Sequence, residues 1–386
     1  MKSVQQGVVT LIRSALTGKS CPLPPDFSLE EAETLAVRHQ IVGLVYEGAL
    51  LCGIPGTEPV MGRLFQRYCQ VVRRNDLQMA EVAAVTEAFE KYGVDYLLVK
   101  GCVLKALYPK AAMRVMTDAD ILIRMRQRAK IAEAMISAGC REGSLVDYEW
   151  KWDSSHLCFE LHTQLVPRHY AERFGYEANG WDQAVHVSGC RYDLTAEEQY
   201  IFLFMHYTKH YRSYGIGLRQ IIDLYVYRSA NPALDMEYIL RRLQQLKLEQ
   251  FHENTCRLLQ NWFADGPADG ITEHMTDYIF SCGSWGTHQQ KVLAEGSRDA
   301  SGKHSAGQSR RKAIARGIFP PVRILSGSYP VLNKAPWLLP FLWPVRWVTI
   351  LLFRRESIRK FREKTTVWTD ENITNRRKAM EYVGLR

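Results

Sequence analysis

The sequence predicts an α+β fold, in which a small mixed β-sheet is flanked by N-terminal and C-terminal helical regions. All four strands that the apolar and β-branched runs predict lie within residues 93–192. On both sides of this core, apolar residues recur at helical spacing. We therefore divide the chain into an N-terminal helical region (1–92), the sheet-bearing core (93–192), a helical domain (193–265) and a C-terminal region (266–386).

The N-terminal region is predicted to be helical throughout. Residues 1–18 indicate an amphipathic helix, because Arg13 interrupts an apolar run that is too short for a signal peptide. Ser28 is followed by Glu31 at capping-box spacing, which predicts that a helix begins there. Residues 62–92 carry a long helical pattern that Gly93 ends.

The core and the following domain are predicted to alternate between strands and helices. Strands are expected at 94–99, 115–123, 145–152 and 156–163, the last two as an antiparallel pair, and helices at 101–107, 127–139, 197–210, 217–227 and 236–263.

Two carboxylates open the second predicted strand. Asp118 and Asp120 are two residues apart, so they point to the same face of the strand. The apolar residues after them indicate that the strand is buried, and buried acids need a positive partner. A divalent cation is the simplest partner, since Mg²⁺ prefers carboxylates together with substrate phosphates. The pair therefore predicts a Mg²⁺ site beside a nucleotide. In the ordered set of motifs described next, two ions are expected, with Mn²⁺ as an alternative.

Three motifs occur in a fixed order: Lys100-Gly101-Cys102, Thr117-Asp118-Ala119-Asp120, and the run 156–162 that contains Glu160. Together they resemble the nucleotidyltransferase superfamily that includes DNA polymerase β. Within it, they are similar to the bacterial group of uncharacterised nucleotidyltransferases. Flanking helices extend the resemblance to residues 25–230, with a weaker match near 329–355.

The resemblance implies a polymerase β-like fold and a chemical reaction. The enzyme would move a nucleoside monophosphate from a nucleoside triphosphate, such as ATP, to an acceptor hydroxyl and release pyrophosphate. Asp118, Asp120 and Glu160 would be the metal ligands and catalytic acids. The acceptor could be a protein side chain, an RNA end or a small molecule.

The resemblance also assigns a set of residues to the nucleotide. Gly101 would let the backbone approach the phosphates, and Lys100 would supply a positive charge. Arg114 would contact either a phosphate or an acid, and a structural salt bridge is an equal alternative. The full set of nucleotide-binding residues is Lys100, Gly101, Cys102, Arg114, Thr117 and Lys209.

Three histidines accompany these residues. His206 and His210 share one helix face with Lys209, and this face could line the cleft. His162 shares the strand face of Glu160, and we expect it to be a hydrogen-bonded structural residue, with a role behind the metal ligands as the alternative.

The net charge of +9 is concentrated near the C-terminus. Residues 301–386 contain 18 Lys and Arg but 5 Asp and Glu, a net charge of +13, so residues 1–300 have a net charge of −4. This tail predicts an anionic partner, either nucleic acid, acidic lipid or an acidic protein surface. The apolar run 335–353 is expected to pack as a strap on the helical domain, because three prolines argue against one continuous helix. Contact with a membrane surface is the alternative.

The remaining features concern location and rival functions. Nine scattered cysteines without a Cys-x-x-Cys pair indicate a reducing cytoplasm, with the inner membrane surface as an alternative site. The polar stretch 295–303 predicts a flexible loop. Two other functions stay open: a catalytically silent module that keeps the fold, and nucleic-acid or membrane binding through the basic tail.

Overall fold

The computed structural model describes residues 1–146, 148–166, 179–284, 286–287, 290–291, 293–294, 314–315, 317–326, 329–353 and 369–385. Its α-helices are Ser3–Thr17, Leu29–His39, Val42–Leu51, Pro59–Tyr92, Gly101–Leu104, Arg128–Ser137, Ala196–Ser213, Leu218–Ala230, Met236–Gln245, Glu249–Phe263, Gly270–Cys282, Val322–Leu325, Leu339–Phe353 and Asp370–Tyr382. Its strands are β1 (Tyr96–Leu98), β2 (Asp118–Ile123), β3 (Arg141–Val146), β4 (Glu149–Asp153), β5 (Cys158–His162), β6 (Ala184–Ser188) and β7 (Arg191–Leu194).

The described strands form one seven-stranded mixed sheet in the order β3-β4-β5-β2-β1-β7-β6. β2 pairs in parallel with β5 and antiparallel with β1, while β1 pairs in parallel with β7. β4 and β5 are antiparallel, as the sequence predicts. The α+β fold with a mixed sheet and flanking helices is therefore confirmed.

One face of the sheet is apolar and covered. Ala119, Ile121 and Ile123 of β2 are fully buried, and so are Phe159 and Leu161 of β5. They pack in one core cluster whose helical members come from Pro59–Tyr92 and Arg128–Ser137, together with Cys102 of Gly101–Leu104. Each large side chain buried in this way stabilises the fold by about 1.5–3 kcal/mol. Because side chains alternate along a strand, Asp118, Asp120 and Glu160 must lie on the opposite face.

Local signals in the N-terminal region are confirmed. The Ser28 hydroxyl accepts a hydrogen bond from the Glu31 amide at 3.3 Å, where the second helix begins. The long helix ends at Gly93, whose φ of +63° is a left-handed conformation that favours glycine.

Two predicted elements are wrong in their extent. The strand predicted at 145–152 is the end of β3 and most of β4, which form a hairpin. β3 is exposed along its whole length, so it carries no alternation of apolar residues that could reveal it. The helix predicted at 236–263 is broken in two, because Lys247 adopts a φ of +56° that no helix continues through.

The chain forms two compact units. The first comprises Met1–His210, Ile216–Trp285 and Val383–Leu385, and it contains the whole sheet. The second comprises Tyr211–Gly215 and Gly286–Tyr382, together with Arg386. The four-part division made from the sequence stays a prediction.

The apolar run near the C-terminus is helical for most of its length. A 3₁₀ turn at Pro336–Leu338 leads into the α-helix Leu339–Phe353. Pro340 lies in the first turn, where its missing N–H costs no helical hydrogen bond, so the helix is more continuous than the prolines predicted. Among the described residues, no helix combines the length and the apolar character that crossing a bilayer would need. The loop predicted at 295–303 lies outside the described residues.

A buried histidine makes the stability of the first unit sensitive to acid. His252 lies beside the Tyr200 hydroxyl at 2.9 Å, and burial, followed by Arg228, lowers its pKa to about 4. An unfolded histidine has a pKa near 6.5, so the unfolded state takes up a proton first as pH falls. We expect the free energy of unfolding to decrease between pH 6.5 and 4 by up to about 1.4 kcal/mol per pH unit from this residue. Urea denaturation of wild type and His252→Gln across this pH range tests the prediction. If the free energy of unfolding of the variant falls with pH as steeply as that of wild type, the prediction is contradicted.

Candidate active site

A cleft of about 210 Å³ lies over the polar face of the sheet in the first unit. Its other wall is formed by the helices Ala196–Ser213 and Leu218–Ala230. The charged residues and histidines that line it are Lys100, Arg114, Asp118, Asp120, Glu149, Glu160, His162, His206, Lys209, His210, Arg219 and Asp223. Except for Cys102, all residues that the sequence assigns to catalysis or to the nucleotide line this cleft.

The register of β2 and β5 brings the predicted acids together. Asp120 is the direct partner of Glu160 in this parallel pair. Ligand atoms of Asp120, Glu160 and His162 all lie within 4.8 Å of one another. Asp118 lies one pleat earlier on β2, and its carboxylate accepts a hydrogen bond from the Thr117 hydroxyl at 3.0 Å. The sheet thus presents three carboxylates on adjacent strands to a single cleft.

Asp120 is the most strongly held of these acids. Lys100 Nζ lies 2.5 Å from Asp120 Oδ1, and His162 Nε2 donates to the same oxygen at 2.7 Å. Burial favours the neutral carboxyl, but Lys100 and then His162 outweigh it, so the pKa of Asp120 lies well below its usual range. Asp120 is therefore ionised at neutral pH.

Glu160 has a different environment. Lys151, its partner on β4, contacts Glu160 Oε1 at 2.7 Å, and His162 Nε2 lies 3.9 Å from Oε2. Burial raises the pKa of Glu160, and the negative charge of Asp120 raises it further against the opposing effect of Lys151. Two neighbouring carboxyl groups therefore differ in proton affinity, and Glu160 is the one better suited to take up a proton.

The turn between β1 and the acid strand is tightly built. Lys100 has a φ of +50°, which is costly for a residue with a side chain and marks a conformation held by its surroundings. At Gly101, a Cβ atom would lie 2.6 Å from Arg114 Nη1 and 3.0 Å from the Met116 side chain. A larger residue at this position would therefore displace the Arg114 guanidinium and the Met116 side chain. Cys102 is buried, and burial raises the pKa of its thiol to about 12, so it remains protonated.

Arg114 takes part in a buried ion pair. Its guanidinium contacts both carboxylate oxygens of Asp223, at 2.9 Å and 3.2 Å, and the Tyr108 hydroxyl donates to Asp223 at 2.7 Å. Burial disfavours the charged guanidinium, but Asp223 outweighs burial and raises the pKa of Arg114. Of the two alternatives for Arg114, the structure contains the salt bridge.

The helix Ala196–Ser213 contributes a basic wall to the cleft. Burial, followed by the charge of Lys100, lowers the pKa of Lys209, while burial and Lys209 lower that of His210 to about 3. His206 lies against His210, with ring centroids 4.4 Å apart, and burial keeps its pKa well below the usual range. Both histidines are therefore neutral at pH 7, and Lys209 is the cation of this wall.

A family profile described as "Uncharacterised nucleotidyltransferase" matches residues 25–264, which is more than half of the chain. The chain belongs to the uncharacterised nucleotidyltransferase family. The matched segment contains every residue that the sequence assigned to the site.

Two solved structures are similar to this chain over the parts they share. One is the solution structure of the antibiotic-resistance factor ANT(2″)-Ia, with 13% identity and a TM-score of 0.32, covering 46% of this chain and 98% of that one. The other is ANT(2″)-Ia in complex with adenylyl-2″-tobramycin, with 11% identity and a TM-score of 0.31, covering 44% of this chain and 97% of that one. No protein with a curated function matches the sequence.

The sequence did not reveal three polar contacts of this cleft. His162 bonds to Asp120, which lies 42 positions earlier in the chain, and Lys151 pairs with Glu160. Arg219 reaches the cleft from its helix and donates to the Val115 carbonyl at 3.1 Å. A signal existed for Lys151: it alternates with Trp150 and Trp152, which are apolar, and this places it on the polar face of the strand.

Proposed function

We propose that this protein is a metal-dependent nucleotidyltransferase, which transfers a nucleoside monophosphate from a nucleoside triphosphate to an acceptor hydroxyl. The observation that carries the proposal is that Asp118, Asp120 and Glu160 line one cleft, which Lys100 and Lys209 also line. Carboxylates on one wall suit divalent cations, and lysines suit phosphate oxygens.

The donor set favours Mg²⁺, with Mn²⁺ as the alternative. Asp118, Asp120 and Glu160 offer the hard oxygen ligands that Mg²⁺ prefers, and the nucleotide phosphates would complete the coordination of two ions. When bound, the ions neutralise the charge that develops on the phosphates during displacement. His162 supports this set through its hydrogen bond to Asp120, which fixes the orientation of the carboxylate.

Lys100 has one role before the nucleotide binds and another after it has bound. Its ammonium group and the Asp120 carboxylate neutralise each other at a separation of 2.5 Å. In the loaded site, Lys100 would exchange this carboxylate for a triphosphate oxygen, and Gly101 would let the backbone come close to the same phosphates. Cys102 packs beneath the turn, and Thr117 holds Asp118 by a hydrogen bond. Arg114 stabilises the wall of the cleft by its ion pair with Asp223.

The proposed transfer is a single displacement at the α-phosphorus of the nucleoside triphosphate. A bond forms between the acceptor oxygen and the α-phosphorus, and the bond from that phosphorus to pyrophosphate breaks. The proton of the acceptor hydroxyl passes to a carboxylate oxygen of Glu160, which lines the cleft beside Asp120. We assign the reaction to the cytoplasm, where nucleoside triphosphates are available.

The test is a transfer assay with metal removal. Wild-type protein is incubated with each α-labelled nucleoside triphosphate, Mg²⁺ and a cell extract, and labelled products are separated after protease or ribonuclease treatment. We expect label to move to one acceptor class (protein, RNA or small molecule) and the transfer to stop when a chelator removes the metal. The treatment that destroys the labelled product identifies the acceptor class.

A matched pair of variants connects the assay to the site. Glu160→Gln keeps the size of the side chain but removes a metal ligand and base, so transfer should fall by about a hundredfold or more. Glu133→Gln makes the same change on the exposed surface of the helix Arg128–Ser137 and should leave the rate unchanged. Transfer that resists the chelator, or that survives in Glu160→Gln, would contradict the proposal.

A further inference from the structure

The second unit exposes an unusual number of large apolar side chains on one helix and the turn before it. Trp337, Phe341, Val345 and Val348 have 71%, 68%, 51% and 56% of their surface exposed. The last three recur at intervals of four and three residues, so they share one face of Leu339–Phe353, and Trp337 precedes them by one turn. We call these four residues the exposed stripe.

The opposite face of the same helix is already packed. The indole N–H groups of Trp343 and Trp347 donate to the carbonyls of Pro320 and Ile318, at 3.1 Å and 2.7 Å. Phe319 makes edge contacts with both indole rings, at centroid distances of 5.1 Å and 5.3 Å. The helix is therefore anchored within its unit by this face, and the exposed stripe lies on the other side of the helix.

Trp and Phe on an exposed helical face are typical of segments that lie in a membrane interface. The helix has 15 residues, and at 1.5 Å per residue it is about 22 Å long, shorter than the roughly 30 Å of a hydrocarbon core. Pro344 and Arg346 lie inside it. A helix of this kind can lie in the plane of the interface with one face buried.

The positive charge of the sequence segment that contains the exposed stripe indicates which kind of apolar partner it binds. Residues 314–353 contain Arg316, Arg323, Lys334 and Arg346 and no Asp or Glu. Four further cations, at positions 354, 355, 359 and 360, follow directly in the sequence. Basic residues beside an amphipathic helix attract the anionic leaflet of a membrane, which a neutral apolar partner would not explain.

We propose that the exposed stripe docks this protein on a bilayer that contains anionic phospholipid. Trp337 and Phe341 enter the boundary between headgroups and acyl chains, and the exposed Lys334, together with the cations that neighbour the helix in the sequence, neutralises the lipid phosphates. The inference concerns the second unit and is independent of the reaction proposed for the first.

The experiment uses the full chain and vesicles of phosphatidylcholine, with or without phosphatidylglycerol. Wild-type protein should cosediment with the anionic vesicles, and high salt should weaken the binding without abolishing it, because apolar insertion is not screened. The variant Trp337→Ser/Phe341→Ser should bind anionic vesicles about tenfold more weakly or worse. The matched control Phe65→Ser/Ile136→Ser removes two side chains of similar exposure from the first unit and should bind like wild type.

A second readout tests insertion directly. Trp337→Phe should still bind, but with brominated acyl chains it should show less fluorescence quenching than wild type, since one inserted indole is missing. Wild-type protein that ignores anionic vesicles, or a stripe variant that binds them equally well, would overturn the inference. A third outcome would also overturn the inference: wild-type protein does not bind vesicles, but it forms a dimer or an RNA complex that the stripe variant loses. The exposed stripe would then bind that partner instead of lipid.

Discussion

Replacing Asp120 with asparagine is expected to reduce nucleotidyl transfer by about a thousandfold or more, which corresponds to roughly 4 kcal/mol of lost transition-state stabilisation. The substitution keeps the shape of the side chain and removes its charge. Asp120 is the acid that β2 places directly beside Glu160, and it is held ionised by Lys100 and His162. An amide would be a weaker ligand for a divalent cation and a weaker partner for Lys100.

The measurement is kcat/KM for transfer, together with metal affinity from calorimetry and a urea unfolding curve. Asp26→Asn is the matched control, since Asp26 is an exposed residue distant in sequence from the motifs. If the Asp120→Asn protein is folded, binds Mg²⁺ normally and keeps its transfer rate, Asp120 has no role in metal binding or catalysis. Activity lost only in proportion to unfolding would reduce its role to stability.

The acid strands could be predicted because their signals are local. The burial of β2 and the acids at its start can both be read within six residues. Once Glu160 is placed on a second strand of the same sheet, the parallel pairing of β2 with β5 brings it beside these acids. The family resemblance supplied Glu160 as the third acid, and its position beside Asp120 agrees with that assignment. The core face was predictable for the same reason, since Phe159 and Leu161 alternate with Glu160.

The missed features depend on information that is not local. β3 has no buried face, so nothing in its sequence separates it from a loop. The bond between His162 and Asp120 requires the register of two strands, which the sequence of either strand does not specify. Lys247 breaks a helix through its backbone conformation, and lysine is otherwise a good helix former.

Arg114→Met is expected to destabilise the first unit by roughly 3–5 kcal/mol, because it leaves the buried Asp223 without its cation. Both side chains of the pair are less than one-tenth exposed. The remaining hydrogen bond from Tyr108 to Asp223 compensates only part of the loss, which favours the lower end of that range. Urea denaturation at neutral pH measures the change in the free energy of unfolding.

Two further variants separate a buried charge from a lost contact. Arg191→Met breaks a similar ion pair, with Asp193 at 2.8 Å, whose side chains are 44% and 37% exposed, so it should cost less than about 1 kcal/mol. The double variant Arg114→Met/Asp223→Leu removes both charges of the pair and should be more stable than Arg114→Met alone, because the Asp223 carboxylate is no longer left buried without Arg114. If Arg114→Met is as stable as Arg191→Met but has a raised KM for the triphosphate, Arg114 acts on the nucleotide and the ion pair is incidental. If the double variant is the least stable of the three, the pair stabilises the fold by more than its desolvation costs.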